Sequence, residues 1–342
     1  MTHPPLIFSG NSNPQLAEEI AKRLKLHVGK ALVTEFKNEE TRVEIGENVR
    51  GSEVFVIQSI SKMPSVDRGV NDSVMELLLM IDALRRASAA RITAVIPYYG
   101  YAKQDKKTKG REPISAKVVA NLLKVTGAKR IVTMDLHAAQ IQGFFDIPVD
   151  NLMAMPVLCN HLKKEGLCDE KIVVVSPDAG GVHRAELFAK RLNASLAIVF
   201  KRRPEPDVSE VTDIVGDVKG KIAVIVDDMI STGGTLAKAA EAIKARGATQ
   251  VFTVATHGIF AGEAVKVLED SDIERVIVTN TIPLPNAEAH PKFVQLSIAQ
   301  TFADTISRIT TNRSVSALFD GEEGGTSEPG PNEAPVLETA TA

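Results

Sequence analysis

Residues 224 to 235 read Val-Ile-Val-Asp-Asp-Met-Ile-Ser-Thr-Gly-Gly-Thr, an apolar run ending in two carboxylates and then a small turn rich in hydroxyls and glycine. Those residue types suit a phosphorylated sugar. A strand over Ile222 to Val226 places the turn at the C-terminal edge of a sheet, where open α/β folds bind ligands. A helix beginning near Thr235 aims unpaired N–H groups and a partial positive charge at a phosphate. Ser231, Thr232 and Thr235 add hydroxyl donors, while Gly233 and Gly234 let the backbone approach without a Cβ. Asp227 and Asp228 repel a phosphate at close range, so sugar hydroxyls or a bound cation are their expected partners. A strand, an Asp cap and a glycine turn with no ligand fit the same letters.

Five further polar segments follow apolar runs. Phe36-Lys37-Asn38-Glu39-Glu40 offers an aromatic face and acceptors to a nucleobase and its amino group, although an ordinary surface turn has the same composition. The segment from Pro97 to Arg111 holds all three tyrosines of the chain and a cluster of cations suited to a polyphosphate or simply to solvent. Met134-Asp135-Leu136-His137 puts Asp135 and His137 on one side of a strand end by period-two alternation. There His137 can ligate a metal, relay a proton or serve a structural role. Ser176-Pro177-Asp178-Ala179-Gly180-Gly181 is another carboxylate- and glycine-bearing strand end, and a His and an Asp on facing loops can help hold Mg²⁺ bound otherwise by water and phosphate. Finally, Phe200-Lys201-Arg202-Arg203-Pro204-Glu205-Pro206 opens a polar stretch to about Lys219. Three cations and two prolines make a poor helix and an expected mobile lid able to neutralise charge in phosphoryl-type transfer.

The elements that must position these segments alternate strand and helix, which indicates α/β architecture with a mainly parallel sheet flanked by helices. The order repeats. Ala-Ser-Ala-Ala-Arg-Ile-Thr-Ala-Val at 87–95 and Arg-Gly-Ala-Thr-Gln-Val-Phe-Thr-Val at 246–254 occupy matching places. This predicts two duplicated domains, 1–150 and 151–320, of which the second alone carries the phosphate turn. Residues 321–342 hold five Glu, no Lys or Arg, and many Gly and Pro, so a disordered acidic tail is expected.

Composition bounds the rest. With 342 residues, 44% of them apolar, the chain can build two real cores. No apolar run nears the roughly 20 residues of a membrane span, and the first ten residues lack a secretory pattern, so a cytoplasmic protein without membrane association is expected. The two cysteines, Cys159 and Cys168, have no zinc-like partners. A net charge of −3, or +2 once the tail is set aside, argues against general nucleic-acid binding.

Taken together the segments resemble the ribose-phosphate diphosphokinase family over about residues 6 to 319. The motifs are Asn11-Ser12-Asn13, Tyr99 to Asp105, Arg111 to Lys117, Asp135-Leu136-His137 through Pro148, Val174 to Asp178, Lys201-Arg202-Arg203 and Asp227 to Thr235. The resemblance implies two phosphoribosyltransferase-like domains. It implies transfer of the diphosphoryl group of ATP to the C1 hydroxyl of ribose 5-phosphate, giving 5-phosphoribosyl 1-diphosphate and AMP. A phosphoribosyltransferase or a non-catalytic relative are the alternatives. ATP is expected at Phe36, Asn38, Glu39, Glu40, Lys103 and Gln104, and Mg²⁺ at His137 and Asp178. Lys201 and Arg203 are the implied catalytic residues. Arg203, Asp227, Asp228, Ser231, Thr232, Gly233, Gly234 and Thr235 are the implied ribose 5-phosphate set. Arg50, Lys107, Arg111, Ser314 and Ser316 match positions that bind activating inorganic phosphate or inhibitory ADP between subunits, and a homohexamer built as a trimer of dimers is implied. The chain departs from the pattern at Ser231 (commonly Asp), Lys103 (usually Arg), Glu205 (commonly basic) and Asn48 (commonly Ser).

Overall fold

The computed structural model describes residues 4–63, 66–202 and 211–319. The first half comprises β1 (Leu6–Ser9), α1 (Pro14–Arg23), β2 (Ala31–Glu35), β3 (Thr41–Ile45), β4 (Glu53–Ile57), α2 (Val70–Arg86), β5 (Arg91–Ile96), α3 (Ser115–Thr126), β6 (Arg130–Met134), β7 (Val149–Leu152) and α4 (Met155–Lys164). The second comprises β8 (Ile172–Ser176), α5 (Val182–Leu192), β9 (Ser195–Arg202), β10 (Val211–Val215), β11 (Ile222–Ile230), α6 (Gly234–Ala245), β12 (Gln250–Gly258), α7 (Ala264–Glu269), β13 (Arg275–Thr279), β14 (Phe293–Leu296) and α8 (Ala299–Thr310).

The sheets make the repeat explicit. One runs β1-β4-β5-β6-β7, all parallel, and the other contains β8-β11-β12-β13-β14 in the same relative order and also parallel. In both halves an antiparallel hairpin follows the first helix. In the first it is β2–β3, a separate two-stranded sheet; in the second it is β9–β10, which extends the main sheet beyond β8. Neither hairpin was legible as a pair. Thr41–Ile45 shows no apolar run in the sequence, and Val211–Val215 falls inside the segment 201–219 expected as a lid. Charged residues at alternate positions, such as Arg42 and Glu44, mask a period-two pattern whose other face is half-buried. Residues 203–210 of that lid, with Arg203 and Glu205, and the tail 321–342 lie outside the described residues.

Helix starts follow local chemistry. Asn13 caps α1 by accepting the Leu16 N–H at 3.2 Å, with Pro14 at the first helical position. In α2 the Asp72 carboxylate accepts the Gly69 N–H at 2.8 Å.

Each half ends in a helix that packs on the other half's first helix: α4 lies against α5, and α8 against α1. Leu158, Cys159 and Leu162 of α4 and Phe302, Ala303 and Ile306 of α8 therefore share one apolar core with Ile7, Phe55, Val174 and Val224. Burying each large side chain contributes about 1.5 to 3 kcal/mol, so the halves are held as one body. The expected division near residue 150 lands within β7, and the first sheet runs to Leu152. Among the described residues no helix is long and apolar enough to cross a membrane.

Candidate active site at the seam between the halves

β11 does not stop at Val226. It pairs with β12 as far as Ile230 opposite Gly258, so Asp227 and Asp228 sit inside the strand and not beyond its end. Both β11 and β12 are nine residues long, and each supplies the other with ladder partners past the expected boundary. Ser231 and Thr232 then form the turn, Gly233 occupies the cap with φ of 76°, and α6 begins at Gly234. A Cβ on Gly233 would be strained by that φ and would meet Leu268 Cγ at 3.0 Å. Among the described residues no side chain caps α6, so its first N–H groups are available to an anion.

Across the seam, β6 ends at Met134 and the chain turns through Asp135, whose φ is +40°. The strand has ended there, so period-two alternation does not set the directions of Asp135 and His137, yet both side chains meet the second half. The Asp135 carboxylate points into the seam, where Oδ2 accepts Ala154 N–H at 3.0 Å and the Thr256 hydroxyl at 2.6 Å. His137 reaches the other half too: its Nδ1 lies 2.7 Å from Oδ2 of Asp228. Arg184, from the first turn of α5, approaches Asp227 at 3.5 Å and Asp228 at 3.6 Å.

The electrostatics follow from that crowding. Burial first, and then the neighbouring Asp228 charge, push the Asp227 carboxyl up to about 7. Burial acts in the same sense on Asp228, but the His137 hydrogen bond and the Arg184 charge outweigh it and hold Asp228 well below the usual carboxylate range. The bond to Asp228 is also the main cause raising His137 above its ordinary value; the charge of Lys103 opposes it and that of Asp105 assists. Lys103 therefore lies within electrostatic reach of His137, which ties the cationic loop after β5 to the seam. Tyr98, next to the seam, is pushed up to about 12 by burial and then by Asp228.

The remaining expected residues are placed as follows. Phe36, Asn38, Glu39 and Glu40 occupy the exposed tip between β2 and β3, with Phe36 half exposed and the Arg42 guanidinium 5.7 Å from its ring centroid. An ion pair between Arg68 and Glu35 ties the hairpin to the body. Gln104 accepts the Ser115 hydroxyl at the start of α3. Glu112 folds the end of the basic loop by accepting the Thr108 and Lys109 N–H groups at 2.8 and 2.9 Å. Asp178 Oδ1 accepts Gly180 N–H at 2.8 Å and Gly181 N–H at 3.0 Å, leading into α5. Lys201 is in the last turn-ward pairs of β9, opposite Thr212. Among the described residues no hydrogen bond or ion pair joins Arg50, Lys107 or Arg111 to Ser314 or Ser316.

Arg184, Thr256 and His257 escaped the sequence reading. Arg184 had a signal, a cation one turn into the helix that follows Gly180-Gly181. Thr256 and His257 had none, because only the seam gives them partners.

Features able to bind anions on both sides of one seam are what a transferase of phosphorylated substrates requires, and similarity sharpens that class to one family. A family model described as the N-terminal domain of ribose phosphate pyrophosphokinase matches residues 5–127, and one described as the phosphoribosyl synthetase-associated domain matches residues 204–320. A ribose-phosphate pyrophosphokinase of Caldanaerobacter subterraneus is 53% identical over 92% of this chain and 97% of its own length. One from Clostridium perfringens is 52% identical over 92% and 97%. The crystal structure of phosphoribosylpyrophosphate synthetase from Mycobacterium smegmatis superposes with a TM-score of 0.83 at 43% identity, covering 91% of this chain and all of that one. The chain belongs to the ribose-phosphate pyrophosphokinase family.

Proposed function

We propose that the protein transfers the β,γ-diphosphoryl group of ATP to the C1 hydroxyl of ribose 5-phosphate, giving 5-phosphoribosyl 1-diphosphate and AMP. The observation that carries this reading is the 2.7 Å bond between His137 and Asp228. It brings the half with the nucleotide-type hairpin and cationic loop onto the strand that leads into the phosphate turn. The 5-phosphate is seated on the α6 N-terminus and the hydroxyls of Ser231, Thr232 and Thr235, and the Asp227–Asp228 pair takes sugar hydroxyls. Adenine lies on Phe36, with Asn38, Glu39 and Glu40 around it and Lys103 and Gln104 toward the phosphates. The C1 oxygen forms a bond to the β-phosphorus as the bond to the α-bridging oxygen breaks, releasing AMP and the hydroxyl proton. Lys201 and Arg203 offset charge on the transferred group.

The donor set fits magnesium. Mg²⁺ keeps water and phosphate oxygens and takes one or two protein ligands. Among the described residues the side chains of His137 and Asp178 use Nδ1 and Oδ1 in their hydrogen bonds, leaving Nε2 and Oδ2 as ligand atoms. When bound with the nucleotide, the ion supplies Lewis-acid neutralisation of phosphate charge.

Assembly belongs to the same proposal. Val118, Leu122 and Val125 form an exposed apolar stripe along α3, which supports a homohexamer. Regulation by inorganic phosphate and ADP at Arg50, Lys107, Arg111, Ser314 and Ser316 would then draw residues from different subunits. A sedimentation coefficient of a monomer, unchanged by phosphate, sinks both ideas. A cytoplasmic location accords with the substrates.

The deciding assay mixes the protein with Mg²⁺, ATP and ribose 5-phosphate across a range of phosphate concentrations. AMP and 5-phosphoribosyl 1-diphosphate should appear in equal amounts. Folded protein that makes neither is a non-catalytic relative.

A further inference from the structure

We propose that His257, with Thr256 beside it, is a positioning residue: from β12 of the second half it clamps the 134–137 turn of the first half so that His137 meets Asp228. The inference rests on the reading that His137 works at the reacting centre.

The His257 side chain is 2% exposed. Its Nε2 lies 3.1 Å from Met134 O and 3.2 Å from Asp135 O. Carbonyls only accept, so Nε2 carries the proton and donates to both, which leaves Nδ1 to accept the Thr281 hydroxyl at 3.0 Å. The Tyr98 ring, 4.9 Å away between centroids, packs on the imidazole. A ring held on both nitrogens and one face has a single orientation.

The turn it grips needs holding. Asp135 is a non-glycine residue at positive φ, a conformation costing on the order of 1 kcal/mol or more that persists only where neighbours over-determine it. Those neighbours are visible: Asp135 N–H donates to Leu152 O at 2.9 Å, Leu136 N–H donates to Asn151 Oδ1 at 3.1 Å, and the Asp135 carboxylate takes Ala154 and Thr256. Of these, Thr256 and His257 alone come from the other half. Register adds the decisive point. His257 is paired with Met229, the residue after Asp228. The sheet that presents Asp228 thus also fixes the backbone from which His137 reaches it, and the bond between the halves does not depend on the seam as a whole.

Steady-state kinetics on the full chain separates this role from plain seam packing. His257→Leu keeps the volume and loses the donor, and should lower kcat by about 10- to 100-fold with KM for both substrates within about twofold. His257→Gln can place its amide N–H₂ where Nε2 was, and should recover kcat to within about threefold. Thr256→Val should lower kcat by about tenfold in the same pattern. Ser59→Ala removes a different buried seam bond, the 2.5 Å contact to Thr281 O, and should lower Tm while leaving kcat unchanged. The proposal is overturned by a folded His257→Leu with wild-type kcat. It is equally overturned if Gln fails to rescue and Ser59→Ala loses kcat to the same extent. If His257→Leu does not fold, Thr256→Val decides. His137→Ala is run alongside: wild-type turnover there overturns the reading of the reacting centre itself, whereas lost turnover with an active His257→Leu overturns only the clamp.

Discussion

At the end of β4, Gln58 accepts the Ser12 hydroxyl at 2.6 Å and donates to Glu76 at 2.8 Å, while Asn11 donates to the two Glu76 oxygens at 2.6 and 2.8 Å. At the end of β11, which holds the same place in the second sheet, Asp227 and Asp228 face Arg184 and His137 from other elements. The first arrangement is closed. A Cβ on Gly10 would meet Gln58 Oε1 at 2.4 Å and Glu76 Oε1 at 2.7 Å, so side chains fill the space where the second half leaves a turn and an uncapped helix. Duplication kept the topology and divided the work: a satisfied polar network makes one strand end rigid, and a crowded pair of carboxylates keeps the other ready for ligands. The hairpins diverge similarly. One presents Phe36 from its own small sheet, and the other carries Lys201 at the edge of the main one.

The largest effect should come from the second hairpin. Lys201 is fixed through its backbone opposite Thr212, so Lys201→Ala leaves the pairing intact. It should cut kcat by about 10³-fold with Tm unchanged, because a cation placed on a transferring phosphoryl group acts mainly in the transition state. Wild-type turnover at saturating substrates would remove Lys201 from the chemistry.

Next comes the closed strand end. Glu76 is fully buried, and its carboxylate takes three hydrogen bonds with Arg68 3.9 Å away. Glu76→Leu strands those donors and should cost about 3 kcal/mol in denaturant unfolding, with kcat of the folded fraction unchanged. A folded variant that loses turnover but no stability would show that this end is not merely structural.

How much of this was legible depended on where each partner lay. The turn at Ser231 to Gly234 and the strand-helix order could be read because their causes are local: hydroxyls, glycines and period-two runs. Glu76 and Gln58 gave no sign, since a carboxylate on α2 looks like a solvated residue until Asn11, 65 positions away, is folded onto it. Alternation put Asp135 and His137 on one side, and both do meet the second half, but the cause is a positive-φ turn at Asp135 held by Thr256 and Ala154, which no local pattern announces. The length of β11 was hidden because two carboxylates read as a strand end, whereas ladder partners on β12 carry the strand four residues further.

The smallest effect has the most telling sign. Asp227 is raised to about 7 by burial and then by the charge of Asp228, against roughly 3.9 in an unfolded chain. Between those values the folded protein holds a proton that the unfolded chain has released, so this group's stabilising contribution is complete below about pH 4 and is lost as pH rises through about 7. His137 acts in the same direction, since its raised value makes the pair with Asp228 strongest below the usual imidazole range. Asp227→Asn removes the cost of ionising Asp227. The ligand-free variant should match the wild type near pH 4.5 and exceed it at pH 8 by about 1 to 2 kcal/mol, because water screens the partly exposed Asp227 carboxyl. Its affinity for ribose 5-phosphate should fall at the same time. Thermal unfolding at the two pH values is the measurement. A variant less stable than wild type at pH 8 would mean that Asp227 belongs to a closed network like that of Glu76, and the contrast between the two strand ends would collapse.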